Sequence, residues 1–421
     1  MTSSLPIPVV AEPIDARVRP PGSKSETIRA LATASLAEGR SHLYEPLRAD
    51  DPLAMCDALR ALGVPVVSDG EPWTVPGRGG RLQEPEGPLE VGESGLSARI
   101  LLAMAGLVSG TVRMVGRGRL PERPMGGIVE VLRSQGVEVS GDRIPIELTA
   151  DGRLEGGHIE VDCSESSQFA SAVMLVAPVM SEPVVLDIIG LASSGGYLEI
   201  TESTMRRFGA GITKTITGYE IANDGYQAVD VVIEPDASAA VYPMGIAAVS
   251  GGRVVIDGLG TDSRQPDLRI ASVLEEMGCH VDRDRDSMTI DARGVRLRPL
   301  DVDLSDAPDG ALAVAVTCLF AGGVSRISGL GSLRYKESDR LSAISSEIGR
   351  IGGRAEVEGD TLVIGPGSLK AAEMDAHGDH RIAMAMAIAG AMLPGSRMAD
   401  AGVVAKTWPG FWDLVDELAT G

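Results

Sequence analysis

The feature that most constrains this chain is a repeat of about seventy residues. An apolar residue followed four positions later by glycine closes a helix-like stretch at Leu59 and Gly63, Leu132 and Gly136, Met205 and Gly209, Leu274 and Gly278, and Ile348 and Gly352. Successive glycines stand 69 to 74 residues apart. Glycine just past a last helical turn supplies a left-handed cap, and short extended segments follow at residues 64–67, 137–139 and 354–357.

A second marker has the same period. Alanine-rich helical stretches give way to β-branched strands at Gly39, Gly110, Glu182, Gly252, Gly323 and Gly395, spaced by 70 to 72 residues. Two independent markers define six units, each with two helices and several short strands, so the fold class is α/β. Three units fall in residues 20–234 and three in 235–421, with residues 1–19 joining the second set. The expectation is therefore two domains, the second discontinuous.

The first helix of each unit is nearly all small and apolar, over residues 30–37, 98–108, 169–180, 239–249, 311–321 and 382–393. Helices apolar on almost every face are buried. The residues ahead of them are polar: Ser23-Lys24-Ser25, Glu93-Ser94-Gly95, Ser166-Ser167-Gln168, Asp236-Ala237-Ser238, Asp309-Gly310 and Asp379-His380-Arg381. N-capping accounts for several of the serines, aspartates and glycines. It does not account for Gln168, nor for Lys24 or Arg381, where a cation opposes the helix dipole. Cations beside free helix N–H groups suit an anionic ligand. Arg123, the run from Arg334 to Arg340, and Lys406 are further cationic candidates, although each alone reads more simply as a surface charge.

Charge narrows what that ligand is. The formal charge is −21, so the overall field repels nucleic acid and anionic membranes, and bound phosphate needs a local basic cluster. The four cysteines, Cys56, Cys163, Cys279 and Cys318, form no C-x-x-C pair, which argues against a zinc site or a disulfide framework. The N-terminus does not read as a signal peptide, and the longest apolar run is too short for a membrane span. A cytoplasmic protein is expected.

Several of these motifs occur together in one known family. Pro21-Gly22-Ser23-Lys24-Ser25 with Arg29, the 92–99 loop, Glu122-Arg123-Pro124, Ser166-Ser167-Gln168-Phe169, Pro308-Asp309, Lys336-Glu337-Ser338-Asp339-Arg340, Asp379-His380-Arg381 and Ala405-Lys406-Thr407 stand in its order. The chain thus resembles the 5-enolpyruvylshikimate-3-phosphate synthases over essentially its full length. The resemblance implies a two-domain enolpyruvyl-transferase-like fold of six βαβαββ-type units, three per domain around buried helices. It implies transfer of the enolpyruvyl group of phosphoenolpyruvate to the 5-hydroxyl of shikimate 3-phosphate, by a monomer without metal or organic cofactor.

Carried over by position, the resemblance gives shikimate 3-phosphate to Lys24, Ser25, Arg29, Ser166, Ser167, Gln168, Ser194, Asp309, Ser332 and Lys336. Phosphoenolpyruvate falls to Lys24, Gly95, Arg123, Gln168, Arg340, Arg381 and Lys406. Asp309 would take the proton of the attacking hydroxyl, and Glu337 with Lys24 would handle the methylene proton. Addition–elimination needs such a base, an acid and charge neutralisation. Closure of two domains on the substrates is the further expectation.

Some positions depart from the family. Glu26 and Ile28 flank Thr27 where Asn usually precedes the arginine, Glu93 and Leu96 replace a usual Asn and Thr, and Ser332 stands for a frequent Asn. Ser194-Gly195-Gly196-Tyr197 replaces a commoner Ser-Lys-Pro-Tyr, and Ile100 a frequent Pro. These bear on the acceptor pocket and on glyphosate, an inhibitor that in this family occupies the phosphoenolpyruvate site and for which, by the resemblance, Gly95 would leave room. They keep open a related transferase with a different cyclitol or shikimate-like acceptor. The UDP-N-acetylglucosamine enolpyruvyl transferases are more distant, since residues 116–124 contain no cysteine. A non-enzymatic scaffold would not need Lys24, Asp309, Glu337, Arg340, Arg381 and Lys406 together.

Overall fold

Each of the five marker glycines closes its helix in the left-handed region, with φ of +84° at Gly63, +83° at Gly136, +85° at Gly209, +114° at Gly278 and +82° at Gly352. The helix before each one ends two residues earlier. Glycine reaches that conformation without the steric cost of a Cβ, so the repeat in sequence is a repeat in backbone geometry.

The computed structural model describes residues 4–190 and 195–420. Its twelve described α-helices are α1 (Lys24–Leu36), α2 (Asp50–Ala61), α3 (Gly95–Ala105), α4 (Gly126–Ser134), α5 (Gln168–Val176), α6 (Gly196–Arg207), α7 (Ala237–Ser250), α8 (Arg269–Glu276), α9 (Ala311–Cys318), α10 (Arg340–Arg350), α11 (His380–Gly390) and α12 (Phe411–Thr420). The chain divides into two compact units, one of Gly22–Ile233 and one of Met1–Pro21 with Glu234–Gly421.

The odd-numbered helices are the buried ones. All eleven residues of α3 and all eleven of α11 are buried. Helix α1 starts six residues before the apolar stretch at residue 30, because its polar first turns are also covered: Thr27 and Arg29 are buried with Ile28. Helix α9 stops at Cys318, short of the expected residue 321. Small residues let these helices approach: a Cβ on Gly245 of α7 would lie 2.6 Å from Ile388 Cδ1 of α11. The even-numbered helices are amphipathic and cover the outside.

Six small sheets surround the helices, three in each unit. The strand before a buried helix runs parallel to the strand after it in four repeats: Leu89–Glu90 with Ser109–Val115, Gly157–Asp162 with Val184–Ile189, Asp301–Asp303 with Ser325–Ser328, and Glu373–Asp375 with Arg397–Ala399. Antiparallel neighbours extend each sheet. Residues alternate between faces, as in Ile146–Asp151, where Ile146 and Leu148 are buried and Glu147 and Thr149 exposed.

At α1 and α7 the pattern is exchanged. Asp15–Val18 precedes α1 but pairs with Arg253–Asp257, the strand after α7. Asp230–Val232 precedes α7 but pairs with Arg40–Tyr44, the strand after α1. The chain leaves one unit for the other between these strands and their helices, which makes the second unit discontinuous. Leu5–Pro6 adds an edge strand by pairing with Met398 and Arg397.

All four cysteines are free and buried. Burial is the chief cause that raises their thiols, to about 12 at Cys56 and Cys163 and about 11 at Cys279 and Cys318. Among the described residues, no helix is long and apolar enough to cross a membrane.

Candidate active site

In the unit of α7 to α12, the starts of three buried helices meet. Asp236 caps α7 and Asp379 caps α11, each carboxylate accepting backbone N–H bonds from the first turn, while Asp309 lies in the turn before α9. Arg381, on the first turn of α11, links them: its guanidinium donates to the Ser238 carbonyl at 3.4 Å and reaches Asp309 Oδ2 at 3.3 Å.

Around Asp309 the cations accumulate. Arg340 Nη1 lies 3.0 Å and Lys336 Nζ 3.3 Å from Asp309 Oδ1. Arg340 also donates to Asp379 Oδ2 at 2.8 Å, to Asp379 Oδ1 at 3.2 Å and to Glu337 Oε2 at 2.7 Å. Lys406 Nζ stands 3.9 Å from Glu337 Oε1. Four cationic side chains are thus joined through three carboxylates. Arg340 and Asp379 are 2% and 0% exposed, so this is a desolvated network rather than a surface decoration.

The electrostatics follow from the contacts. Burial raises the Asp309 carboxyl, but Arg381, Lys336 and Arg340 outweigh it and hold the group well below the usual carboxylate range. Burial lowers the Arg340 guanidinium, and Asp379, Glu337 and Asp309 more than reverse this. Burial pushes the phenol of Tyr242, on α7, up to about 12 against the opposing pull of Arg381 and Arg340. Tyr242 therefore stays a neutral phenol at physiological pH. The Ser332 hydroxyl, in the Gly331–Tyr335 turn, is buried with no hydrogen-bond partner among the described residues, as is that of Thr407 beside Lys406.

The Arg334 to Arg340 run splits. Arg334 behaves as a surface charge, with Asp339 at 3.7 Å and Asp360 at 3.8 Å. Arg340, six residues on, is in the core.

The unit of α1 to α6 holds a second group. Arg29 is 1% exposed, and its donors go to neutral oxygens: Thr201 Oγ1 at 2.7 Å, Ser25 Oγ at 2.6 Å, Ser171 Oγ at 3.2 Å and the Tyr197 carbonyl at 3.4 Å. Burial lowers its guanidinium to about 10, leaving it charged at neutral pH. A buried cation held by hydroxyls retains a field for an anion. Lys24 Nζ lies 3.3 Å from Asp51, which is buried at the start of α2.

Gly95 opens α3, and the Arg123 guanidinium packs against it. Gln168 opens α5, with its backbone N–H donating to Ser166 Oγ at 3.3 Å and its side chain bonded to Arg99. Ser167 is the buried residue before α5. Ser194 lies outside the described residues. Lys24, Ser25, Arg29, Gly95, Arg123, Ser166, Ser167 and Gln168 thus belong to one unit, and Asp309, Ser332, Lys336, Glu337, Arg340, Arg381 and Lys406 to the other.

Sequence reasoning passed over Asp51, Arg99, Ser171, Thr201 and Tyr242. Arg99 had a signal, a lone cation near the start of an apolar helix. The hydroxyls had none, because Ser and Thr sit in buried helices for many reasons. Among the described residues, no three His, Cys, Asp or Glu side chains are grouped to hold a metal ion.

Comparison with known proteins bears on this arrangement. Residues 10–415 match the family model described as EPSP synthase (3-phosphoshikimate 1-carboxyvinyltransferase). A relative from Methanoculleus marisnigri, named 3-phosphoshikimate 1-carboxyvinyltransferase, is 37% identical over 416 residues, covering 96% of each chain. One of the same name from Syntrophobacter fumaroxidans is 38% identical, covering 96% of this chain and 97% of its own. Among solved structures, EPSP synthase from Acinetobacter baumannii has a TM-score of 0.80 at 24% identity, with 99% of this chain and 97% of that one covered. The enolpyruvyl transferase NikO from Streptomyces tendae has a TM-score of 0.77 at 18% identity, with 99% and 98% covered. The fold is that of the two-domain enolpyruvyl transferases, and with relatives of this identity over nearly the whole length, the chain belongs to the EPSP synthase family.

Proposed function

We propose that the chain transfers the enolpyruvyl group of phosphoenolpyruvate to the 5-hydroxyl of shikimate 3-phosphate and releases phosphate. The observation that carries this reading is the cluster of buried Arg340, Arg381 and Lys406 with partly buried Lys336 around Asp309 and Glu337, in a chain of this family. A strongly acidic protein keeps desolvated cations together where anions must bind and proton-transfer groups must stand beside them.

In this reading the hydroxyl oxygen bonds to C2 of phosphoenolpyruvate while a proton adds to C3. The tetrahedral ketal then loses phosphate and a C3 proton. Asp309 takes the hydroxyl proton, and Glu337 with Lys24 manages the methylene proton. Arg340, Arg381 and Lys406 hold phosphoenolpyruvate, with Lys24, Gly95, Arg123 and Gln168 assigned to it as well. Lys24, Ser25, Arg29, Ser166, Ser167, Gln168, Ser194, Asp309, Ser332 and Lys336 hold shikimate 3-phosphate. Fork-shaped guanidinium donors suit carboxylate and phosphate oxygens.

As anionic substrate recruits Arg340, Arg381 and Lys336, Asp309 loses compensation and its proton affinity rises, making it a better base once the site fills. The test is phosphate release from phosphoenolpyruvate with shikimate 3-phosphate. Turnover with that acceptor is expected; turnover only with another cyclitol would overturn the assignment of substrate.

A further inference from the structure

Arg99 is 1% exposed, on the first turns of α3. Its Nη1 donates to Gln168 Oε1 at 2.5 Å and its Nη2 to the Pro124 carbonyl at 2.7 Å. The guanidinium also stands 4.9 Å from the ring centroid of Phe169. One side chain therefore ties together the start of α3, the backbone beside Arg123 and the start of α5. Those three places carry Gly95, Arg123 and Gln168.

A guanidinium has donors only, so the atom of the Gln168 amide that faces it is the oxygen. The NH2 end of that amide points away from Arg99. We propose that Arg99 is a positioning residue that fixes Gln168 as a donor, presenting its amide NH2 to oxygens of a bound anionic substrate. The inference rests on the functional reading above for the identity of that substrate, and on this geometry for everything else.

Lysine cannot replace this arginine. An ammonium lacks the planar fork that reaches Gln168 and the Pro124 carbonyl at once and lies over Phe169. Glutamate at 168 would keep its bond to Arg99, with the same shape and an acceptor facing the guanidinium. It would present a carboxylate oxygen where the NH2 had been.

The experiment is a double-mutant cycle on the full-length chain with Arg99→Lys, Gln168→Glu and Gln168→Leu, read as thermal stability and as kcat/KM. Without substrate, Arg99→Lys and Gln168→Leu should each lower the melting temperature by about 3 °C. Gln168→Glu should leave it within about 1 °C, since the bond to Arg99 survives. In turnover, Gln168→Glu should raise KM tenfold or more despite unaltered stability. Arg99→Lys should lower kcat/KM about tenfold in the wild-type background and by less than about twofold when position 168 is Leu. Stability effects that simply add, losses in kcat/KM that multiply, or an unchanged KM in Gln168→Glu would each overturn the proposal. The stability cycle decides the Arg99–Gln168 link with no substrate present. Failure of the wild type to turn over shikimate 3-phosphate counts against the functional reading alone.

Discussion

A methyl group placed on Gly95 would lie 2.4 Å from Cζ of Arg123 and 2.5 to 2.6 Å from both terminal nitrogens of its guanidinium. Nothing else within 4 Å is closer, so the obstacle is the far end of a flexible side chain. Gly95→Ala should therefore fold with little loss of stability while displacing Arg123. We expect KM for phosphoenolpyruvate to rise about tenfold, the scale of one lost charge-assisted contact. Inhibition by glyphosate, competitive with phosphoenolpyruvate in the wild type, should weaken in parallel. An inhibition series at several phosphoenolpyruvate concentrations checks both. If wild type and variant resist alike, the Leu96 and Ile100 context has already closed the pocket.

Asp309→Asn should cut kcat by about a hundredfold or more, the usual scale for a lost general base. It should also leave Arg340, Lys336 and Arg381 without their shared carboxylate. Inorganic phosphate should then raise the melting temperature of the variant more than that of the wild type. Equal shifts would mean that phosphate does not compete for these cations.

The same group sets a pH dependence. Asp309 titrates well below an unfolded aspartate, whose pKa is about 3.9, so below that pH the unfolded state binds more protons. The ion pairs contribute fully above about pH 4 and lose their contribution as the pH falls below it. Thermal melts of wild type and Asp309→Asn should therefore converge as the pH drops below about 4. A gap that widens on acidification would contradict the assignment.

Arg29→Lys keeps the charge but cannot reach Thr201, Ser25 and Ser171 together. KM for shikimate 3-phosphate should rise about tenfold or more, with kcat less affected, because the loss is of binding geometry. Steady-state kinetics with each substrate varied in turn separates this from a general loss of folded enzyme.

Gly136→Ala isolates the backbone cost of a helix end. Gly136 has φ of +83° and nothing within 4 Å of the added atom, so the penalty is conformational, about 1 kcal/mol. Gly218→Ala is the converse case: its Cβ would meet the Leu186 carbonyl at 2.0 Å. It should cost more than Gly136→Ala, by denaturant titration of both.

What the sequence made legible was whatever recurs. Gly63, Gly136, Gly209, Gly278 and Gly352 mark helix ends because only one residue type fits that backbone well, and Ser23, Ser94, Asp236 and Asp379 mark helix starts for a similar reason. From local pattern alone, Arg381 was legible as a cation in the wrong place for a helix dipole, whereas Asp309, Lys336, Glu337, Arg340 and Lys406 were named together only through the family motifs. Charge pattern did not separate buried Arg340 from surface Arg334, since both sit in one mixed-charge run; only the family motif singled out Arg340. The Lys24–Asp51 and Arg29–Thr201 contacts depend on how separate helices pack, which no local pattern encodes.

The exchanged strands impose an order on synthesis. All of the Gly22–Ile233 unit, including the Asp230–Val232 strand that completes its first sheet, lies in one continuous stretch and can assemble as it leaves the ribosome. The other unit cannot. Asp15–Val18 is made before the whole first unit, yet its partner Arg253–Asp257 emerges only after it, and Leu5–Pro6 must wait for Arg397 and Met398. Residues 5–18 are thus strand edges held in reserve while the Gly22–Ile233 unit is made. Their short length and their prolines at positions 6, 8 and 13 limit what else they can pair with in the meantime.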